Sequence, residues 1–576
     1  MRTWFVWPVL ILALSITPVY ADSDVFPHYL RCEYKVDPLG IDVMQPRLTW
    51  EVGAKDPAMR GLAQSGYQIV VASSLSQLAE NQGDLWDTGQ VDSSQSANIV
   101  YQGAPLKANM DCFWKVRVWD QNGDVSKWSR PARWSMGLLE KSDWEAQWIQ
   151  EPLRDDFDLC KWIWFPAGNP KQQAPKETVY FRKTFEIPYV ADEALVVMAA
   201  DDAYTLYLDG KEVISSAAGP DAWDHPQYKS RVRVGSGKHV LAVKAVNETE
   251  GPAGLAGKFM VVYNHTQLVL PTDGSWKVSK QAQAGWMDPS FNDSSWQQAK
   301  VLSHVGMNDN PWGVPGDSDN LILSPPPYFA KDVEIQKPVK RAMLYATAHG
   351  MFDLFMNGEK VGDAFFRPGW SDYRFRLYYN TYDVTADLQQ GQATLGAYLA
   401  DGWYSGYIGW GRKRNHYEGQ TKIKIQLNVE YEDGSQEVFG TDETWNVMAS
   451  PPIREADFLH GEMFDARKAK DGKIARQAVL AHDQQDEGLA LDAYPGVNVK
   501  AIEELPAKKV SEPKPGVYVF DLGQNMVGLA RLKVQGPKGT KVQMRFAERL
   551  NEDGTLYTAN LRTARVLDTY ILSGEG

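Results

Sequence analysis

Past residue 22, apolar residues recur at every second position in short runs, and each run meets a Gly, Asn, Asp or Pro turn signal within roughly 8 to 12 residues. A period of two sends successive side chains to opposite faces, which suits a half-buried strand and no helix. Asp209-Gly210, Asn357-Gly358, Asp433-Gly434 and Asp553-Gly554 sit between such runs as hairpin turns. No stretch holds the 3.6-residue period long enough for an extended amphipathic helix. The pattern predicts an all-β chain of tandem β-sandwiches, and 576 residues suffice for about four domains.

An internal repeat refines this division. Residues 181–213 align without a gap on 329–361, an offset of 148 residues, with nine identities in 33 positions. Among them are Phe181/Phe329, Ala200/Ala348, Leu206/Leu354, Gly210/Gly358 and Val213/Val361. Two copies of one sandwich plan are therefore expected, at 141–325 and 326–470. Their signature, a strand and turn followed by Asp-Gly-Lys-Glu-Val or Asn-Gly-Glu-Lys-Val, resembles jelly rolls of the galactose-binding type. Before them, 22–140 resembles a fibronectin type III sandwich through Phe113 to Asp120 and the later Trp128. After them, 471–576 reads as a partial β-sandwich that stops at Gly574-Glu575-Gly576, directly after a β-like run, so the chain is expected to be cut short.

Residues 1–21 join a basic start, an apolar run from Trp4 to Val19 and a small-x-small end at Val19-Tyr20-Ala21. This pattern is that of a secretory signal peptide and is too short for a stable membrane span, so an exported protein, periplasmic or extracellular, is expected. A formal charge of −13 and no long basic run exclude nucleic acid as a partner class. Three cysteines, Cys32, Cys112 and Cys160, make no disulfide framework; either a Cys32–Cys112 bridge or buried thiols fits.

Several separated segments carry a family resemblance: Leu30-Arg31-Cys32-Glu33-Tyr34 with Gln45-Pro46-Arg47-Leu48-Thr49-Trp50; Pro368-Gly369-Trp370-Ser371-Asp372-Tyr373; Gly402-Trp403-Tyr404-Ser405-Gly406; His460 to Arg467; Phe520 to Asn525; and Asp553 to Thr558. Together they resemble the bacterial α-L-rhamnosidases, glycosidases that remove terminal α-L-rhamnose from glycans or glycosides. The resemblance implies hydrolysis in an (α/α)6 barrel C-terminal to these β-domains, with an acid and a base carboxyl about 6.5 to 9.5 Å apart for inversion. No segment here reads as that barrel, so it is expected downstream, and no catalytic pair is assigned among Asp201, Asp202, Asp401, Glu462, Asp465 and Glu548. Alternatives are a free-standing extracytoplasmic carbohydrate-binding protein, or a 576-residue chain active by itself.

One local constellation points to sugar binding. Asp201 and Asp202 precede the strand at Tyr204, Trp223 lies in the polar loop 219–225, and Asn247 is followed by Pro252. Carboxylate, amide and main-chain carbonyl oxygens are the hard ligands that Ca²⁺ prefers, and an exposed indole covers the apolar face of a sugar ring. The set resembles the calcium-dependent rhamnose-binding module of some α-L-rhamnosidases. The resemblance implies that Asp201, Asp202, Asn247 and Pro252 hold Ca²⁺, while Asp201, Asp202 and Trp223 touch the sugar; Asp202 departs from the Asn expected there. The second copy has His349 and Gly350 at the acidic pair, so duplication is not expected. Trp403, Tyr404, Tyr407 and Trp410 either line a cleft toward the barrel or pack internally.

Overall fold

The computed structural model describes residues 23–576 apart from 153–156, 158, 192, 220, 230–231, 264–265, 306–310, 314, 316–324, 410–413, 415, 418–419, 449–450, 470–473, 482–487, 563 and 576. The expected signal peptide and Trp410 thus lie outside the described residues. Strands dominate as the alternation requires, and among the described residues the α-helices are two short turns, Leu75–Ala79 and Gly402–Ser405. None is long and apolar enough to cross a membrane.

The chain divides into two compact units, residues 1–143 and 144–576. In the first, a three-stranded and a four-stranded sheet enclose a core that includes Trp50, Trp114 and Trp134. Trp128 lies on the strand surface between the Lys115 ammonium and the Arg117 guanidinium, 5.0 and 4.8 Å from its ring, so it serves packing. Cys32, Cys112 and Cys160 are free buried thiols, which decides between the two cysteine readings.

The second unit contains the two repeats. In the first, β1 (Glu177–Ile187), β2 (Glu193–Asp201), β3 (Ala203–Leu208), β4 (Lys211–Ser215), β5 (Gln227–Lys229), β6 (Gly237–Asn247), β7 (Gly254–Tyr263), β8 (Thr266–Pro271), β9 (Lys277–Ser279) and β10 (Gln297–Gln298) follow in order. In the second come β11 (Tyr328–Ile335), β12 (Val339–His349), β13 (Met351–Met356), β14 (Glu359–Lys360), β15 (Arg376–Asp383), β16 (Gly391–Ala400), β17 (Lys422–Tyr431), β18 (Gln436–Gly440), β19 (Asn446–Met448) and β20 (Ile474–Gln477). One six-stranded sheet has the order β4-β3-β6-β1-β9-β10 and its counterpart β14-β13-β16-β11-β19-β20, the same plan strand for strand. β3 and β13 even share one burial alternation: Tyr204, Leu206 and Leu208 point inward in one, Phe352, Leu354 and Met356 in the other. Both hairpins turn through two left-handed residues, Asp209-Gly210 and Asn357-Gly358, as the two-residue loops demand.

Facing these, β5-β2-β7-β8 and β15-β12-β17-β18 form the opposite layers, and the two layers are parts of one continuous sheet. The junction is two short strands from outside the repeats. Ile149–Gln150 precedes the first and pairs with β17 of the second (Ile149 opposite Ile423), while Val479–Leu480 follows the second and pairs in parallel with β8 of the first (Leu480 opposite Thr266). The junction strands also pair with each other. Ile149 is fully buried in the core of the second repeat. Truncating it removes core contacts at the junction, so Ile149→Ala should lower stability by about 2–5 kcal/mol in urea unfolding. A loss within error of zero would show that the junction adds nothing to that core.

Candidate functional site

The residues expected to bind sugar lie at one end of the first jelly roll, where four chain segments end. β2 stops at Asp201, opposite Gly254 at the start of β7, and β3 begins at Ala203, opposite Val246 near the end of β6. The corner Asp201-Asp202, Asn247 and the Pro252 loop are thus neighbours through strand pairing, although about fifty residues separate the first from the last. The Asp201–Asp202 peptide is cis.

Each side chain has a defined role. Asp202 donates its main-chain N–H to the Val246 carbonyl (3.1 Å), and its carboxylate accepts from the Glu248 N–H (2.7 Å). Asn247 is 1% exposed, and its amide nitrogen donates to the carbonyls of Ala174 (3.3 Å) and Pro175 (2.8 Å). That commits the nitrogen to protein and leaves the amide oxygen as the end suited to a cation. Trp223, in the short helical turn Ala222–Asp224, is half-buried against Gly313, where an added Cβ would meet the indole at 3.4 Å.

Trp312 is the residue that sequence reasoning missed. It is stacked on Trp162 with centroids 4.6 Å apart, and its indole N–H donates to the Asp201 carboxylate at 2.9 Å. Burial pushes the Asp201 carboxyl up to about 6; the Trp312 hydrogen bond opposes this, while the charges of Asp202 and Asp221 add to it. The corner therefore carries negative charge that no cationic side chain balances in these contacts. Among the described residues no trio of His, Cys, Asp and Glu side chains gathers as a metal site. The two carboxylates, the Asn247 oxygen and a carbonyl near Pro252 form a mixed hard-oxygen set that fits Ca²⁺ better than a transition metal.

At the matching corner of the second jelly roll, His349 is packed edge-on against Trp148 (5.2 Å) and Tyr404 (4.8 Å), and Gly350 follows. Aromatic packing fills the place of the acidic pair. Tyr404 and Tyr407 are buried, which accords with the packing alternative. Trp403 is half-buried beside the exposed Trp370, which sequence reasoning had noted only as part of a motif. The carboxylates Asp401 and Asp465 are engaged by Arg414 (2.9 Å) and Arg467 (2.8 Å).

Three family profiles match the chain: the α-L-rhamnosidase N-terminal domain over residues 337–478, the Rha78A-like N-terminal immunoglobulin domain over 27–140, and the bacterial α-L-rhamnosidase concanavalin-like domain over 511–576. An α-L-rhamnosidase of Streptomyces avermitilis is 41% identical over 559 residues, covering 94% of this chain and 53% of the relative. One from Formosa agariphila is 28% identical over 551 residues, covering 94% of this chain and 42% of the relative. The crystal structure of the S. avermitilis α-L-rhamnosidase complexed with L-rhamnose superposes with a TM-score of 0.66 at 39% identity, over 96% of this chain and 54% of that one. The native Aspergillus terreus enzyme shares the fold, with a TM-score of 0.58 at 21% identity over 96% of this chain and 44% of that one. The chain spans about half the length of the curated relatives it matches. It belongs to the bacterial α-L-rhamnosidase family, whose N-terminal β-domains it carries.

Proposed function

We propose that this chain supplies the substrate-binding and scaffold β-domains of an exported enzyme that removes terminal α-L-rhamnose, and that its first jelly roll holds a rhamnosyl residue together with Ca²⁺. The carrying observation is the convergence of Asp201, Asp202, Asn247, the Pro252 loop and Trp223 at one end of the sandwich, with the half-buried Asp201 held by the Trp312 indole. The S. avermitilis relative crystallised with L-rhamnose supports the ligand class. Export rests on the apolar leader pattern of residues 1–21.

In this reading Asp201, Asp202 and the oxygens of Asn247 and Pro252 hold the ion. Bound there, Ca²⁺ supplies positive charge that draws sugar hydroxyls and offsets the carboxylates. Trp312 fixes one Asp201 oxygen, so the carboxylate is oriented before ligand arrives. Trp223 offers an indole face to the apolar side of the ring. Hydrolysis is assigned to a helical barrel outside this chain. Apolar side chains left in water between residues 497 and 550, among them Ile502 at 96% and Val527 at 99% exposure, support a further layer of protein there.

Two measurements test this reading. Calorimetry with L-rhamnose should show binding that needs Ca²⁺ and weakens by about tenfold or more in Asp201→Ala and in Trp223→Ala; unchanged affinity in both variants removes the site. In parallel, p-nitrophenyl α-L-rhamnoside should not be turned over by the 576-residue chain, and turnover abolished by substituting a carboxylate in it would place the chemistry here instead.

The pH dependence has a definite sign. The folded Asp201 carboxyl titrates at about 6 against an ordinary 3.8, so between those values the folded chain holds a proton that the unfolded chain has lost. In excess EDTA, that stabilising contribution is complete below 3.8 and is lost as the pH rises through about 6. Asp201→Asn should therefore raise the Tm near pH 7 in EDTA and leave it unchanged near pH 3. With saturating Ca²⁺ near pH 7 the same substitution should lower the Tm, because binding to the native state is what it removes. An Asn variant with the same Tm as the parent under both conditions contradicts the assigned charge balance.

A further inference from the structure

Because the two jelly rolls share one strand order, every loop of the first has a counterpart in the second. The β4–β5 loop with Trp223 corresponds to the β14–β15 loop with Trp370, and the β6–β7 loop with Pro252 corresponds to the β16–β17 loop with Trp403. The two loops that serve the first mouth thus bring two indoles together at the second. Trp370 is 64% exposed and lies parallel to Trp403, with centroids 6.1 Å apart and planes 8° apart. Trp403 is held from other sides by Phe458 at 4.7 Å and Phe366 at 6.1 Å. A large ring kept in water yet braced by its neighbours is a preorganised platform, since little side-chain entropy is left to lose on binding.

A charged pair follows Trp370 within the same loop. Arg374 donates to both oxygens of Asp372 at 2.9 and 2.6 Å, with Arg374 exposed and Asp372 half-buried. A flat exposed indole in a loop that also carries charged hydrogen-bonding groups suits a pyranose ring, which has an apolar CH face and a hydroxyl perimeter. The acidic corner of the first mouth is replaced here by His349 and Gly350.

We propose that Trp370, braced by Trp403, forms a second glycan-binding site that stacks a neutral pyranose ring without calcium. The inference rests on the proposed function only in supposing that these mouths face glycans; its chemistry does not use Asp201 or Ca²⁺. Saturation-transfer NMR of the 576-residue chain with methyl α-L-rhamnoside in excess EDTA, where the first site is silent, isolates it. Transfer to the ring CH protons should persist in the parent chain and in an Asp201→Ala, Trp223→Ala double variant. It should fall by about tenfold in apparent affinity in Trp370→Ala and be retained in Trp370→Phe. No EDTA-resistant transfer in the parent, or transfer undiminished in Trp370→Ala, overturns the proposal. Self-association on sedimentation that is relieved by Trp370→Ala and unaffected by the glycoside also overturns it, by identifying the platform as a protein contact. Failure of the first site alone would show as EDTA-resistant, Trp370-dependent binding with no added Ca²⁺-dependent component.

Discussion

The arrangement of the second unit depends on the pairing of two short strands, Ile149–Gln150 and Val479–Leu480, between the edges of the jelly rolls. An open sandwich presents main-chain donors and acceptors at its edges, and leaving them unpaired invites association with other chains. Here the segment preceding the first repeat hydrogen-bonds to the second repeat, and the segment following the second hydrogen-bonds to the first. Both edges are satisfied by one exchange. Since Ile149 is also buried in the second core, the exchange ties backbone pairing to side-chain packing. The two mouths are then held in a fixed relation by hydrogen bonds, which a flexible linker does not provide.

Within that frame one plan carries two different sets of side chains. Strand order, hairpin turns and inward-facing positions coincide in the two repeats, so the backbone brings the same three connections to each mouth. The difference lies in what the corner between the second and third strands carries. In the first repeat it holds two carboxylates beside a buried indole: desolvation and the neighbouring carboxylate raise the proton affinity of Asp201, against the hydrogen bond from the indole. In the second it holds a histidine packed against aromatic rings, and a neighbouring loop exposes the Trp370 indole. Divergence at a few loop positions on a retained scaffold changes surface chemistry without moving a core residue.

Much of this was legible in the sequence for a physical reason. A two-residue period, Asp-Gly and Asn-Gly turns and a gapless repeat are local signals, and strand formation, hairpin turns and repeat registration are local consequences. The grouping of Asp201, Asp202 and Asn247 was also within reach, because strand pairing alone brings them together. Trp312 was not, since its contact with Asp201 spans 111 residues and no periodic pattern leads to it. The junction strands of two residues each are too short to carry any period. Tyr404 and Trp370 show the same limit in side-chain form: both stand in aromatic, glycine-rich loops, and only tertiary packing buries one and exposes the other.

The last hundred residues illustrate what alternation does not reveal. Lys509–Lys514 and Val517–Asp521 form a hairpin, yet Val510, Val517, Tyr518 and Phe520 remain exposed while Val519 is buried. A strand pattern specifies which residues share a face, but a face becomes core only when a second layer covers it. Each large apolar side chain left in water forgoes roughly 1.5–3 kcal/mol of burial, so a sheet with many of them contributes little stability by itself. The jelly rolls differ in that each closes its own core between two layers. Stability in this chain therefore resides in the closed sandwiches and their shared sheet, while the 497–550 segment presents the apolar surface on which further protein can pack.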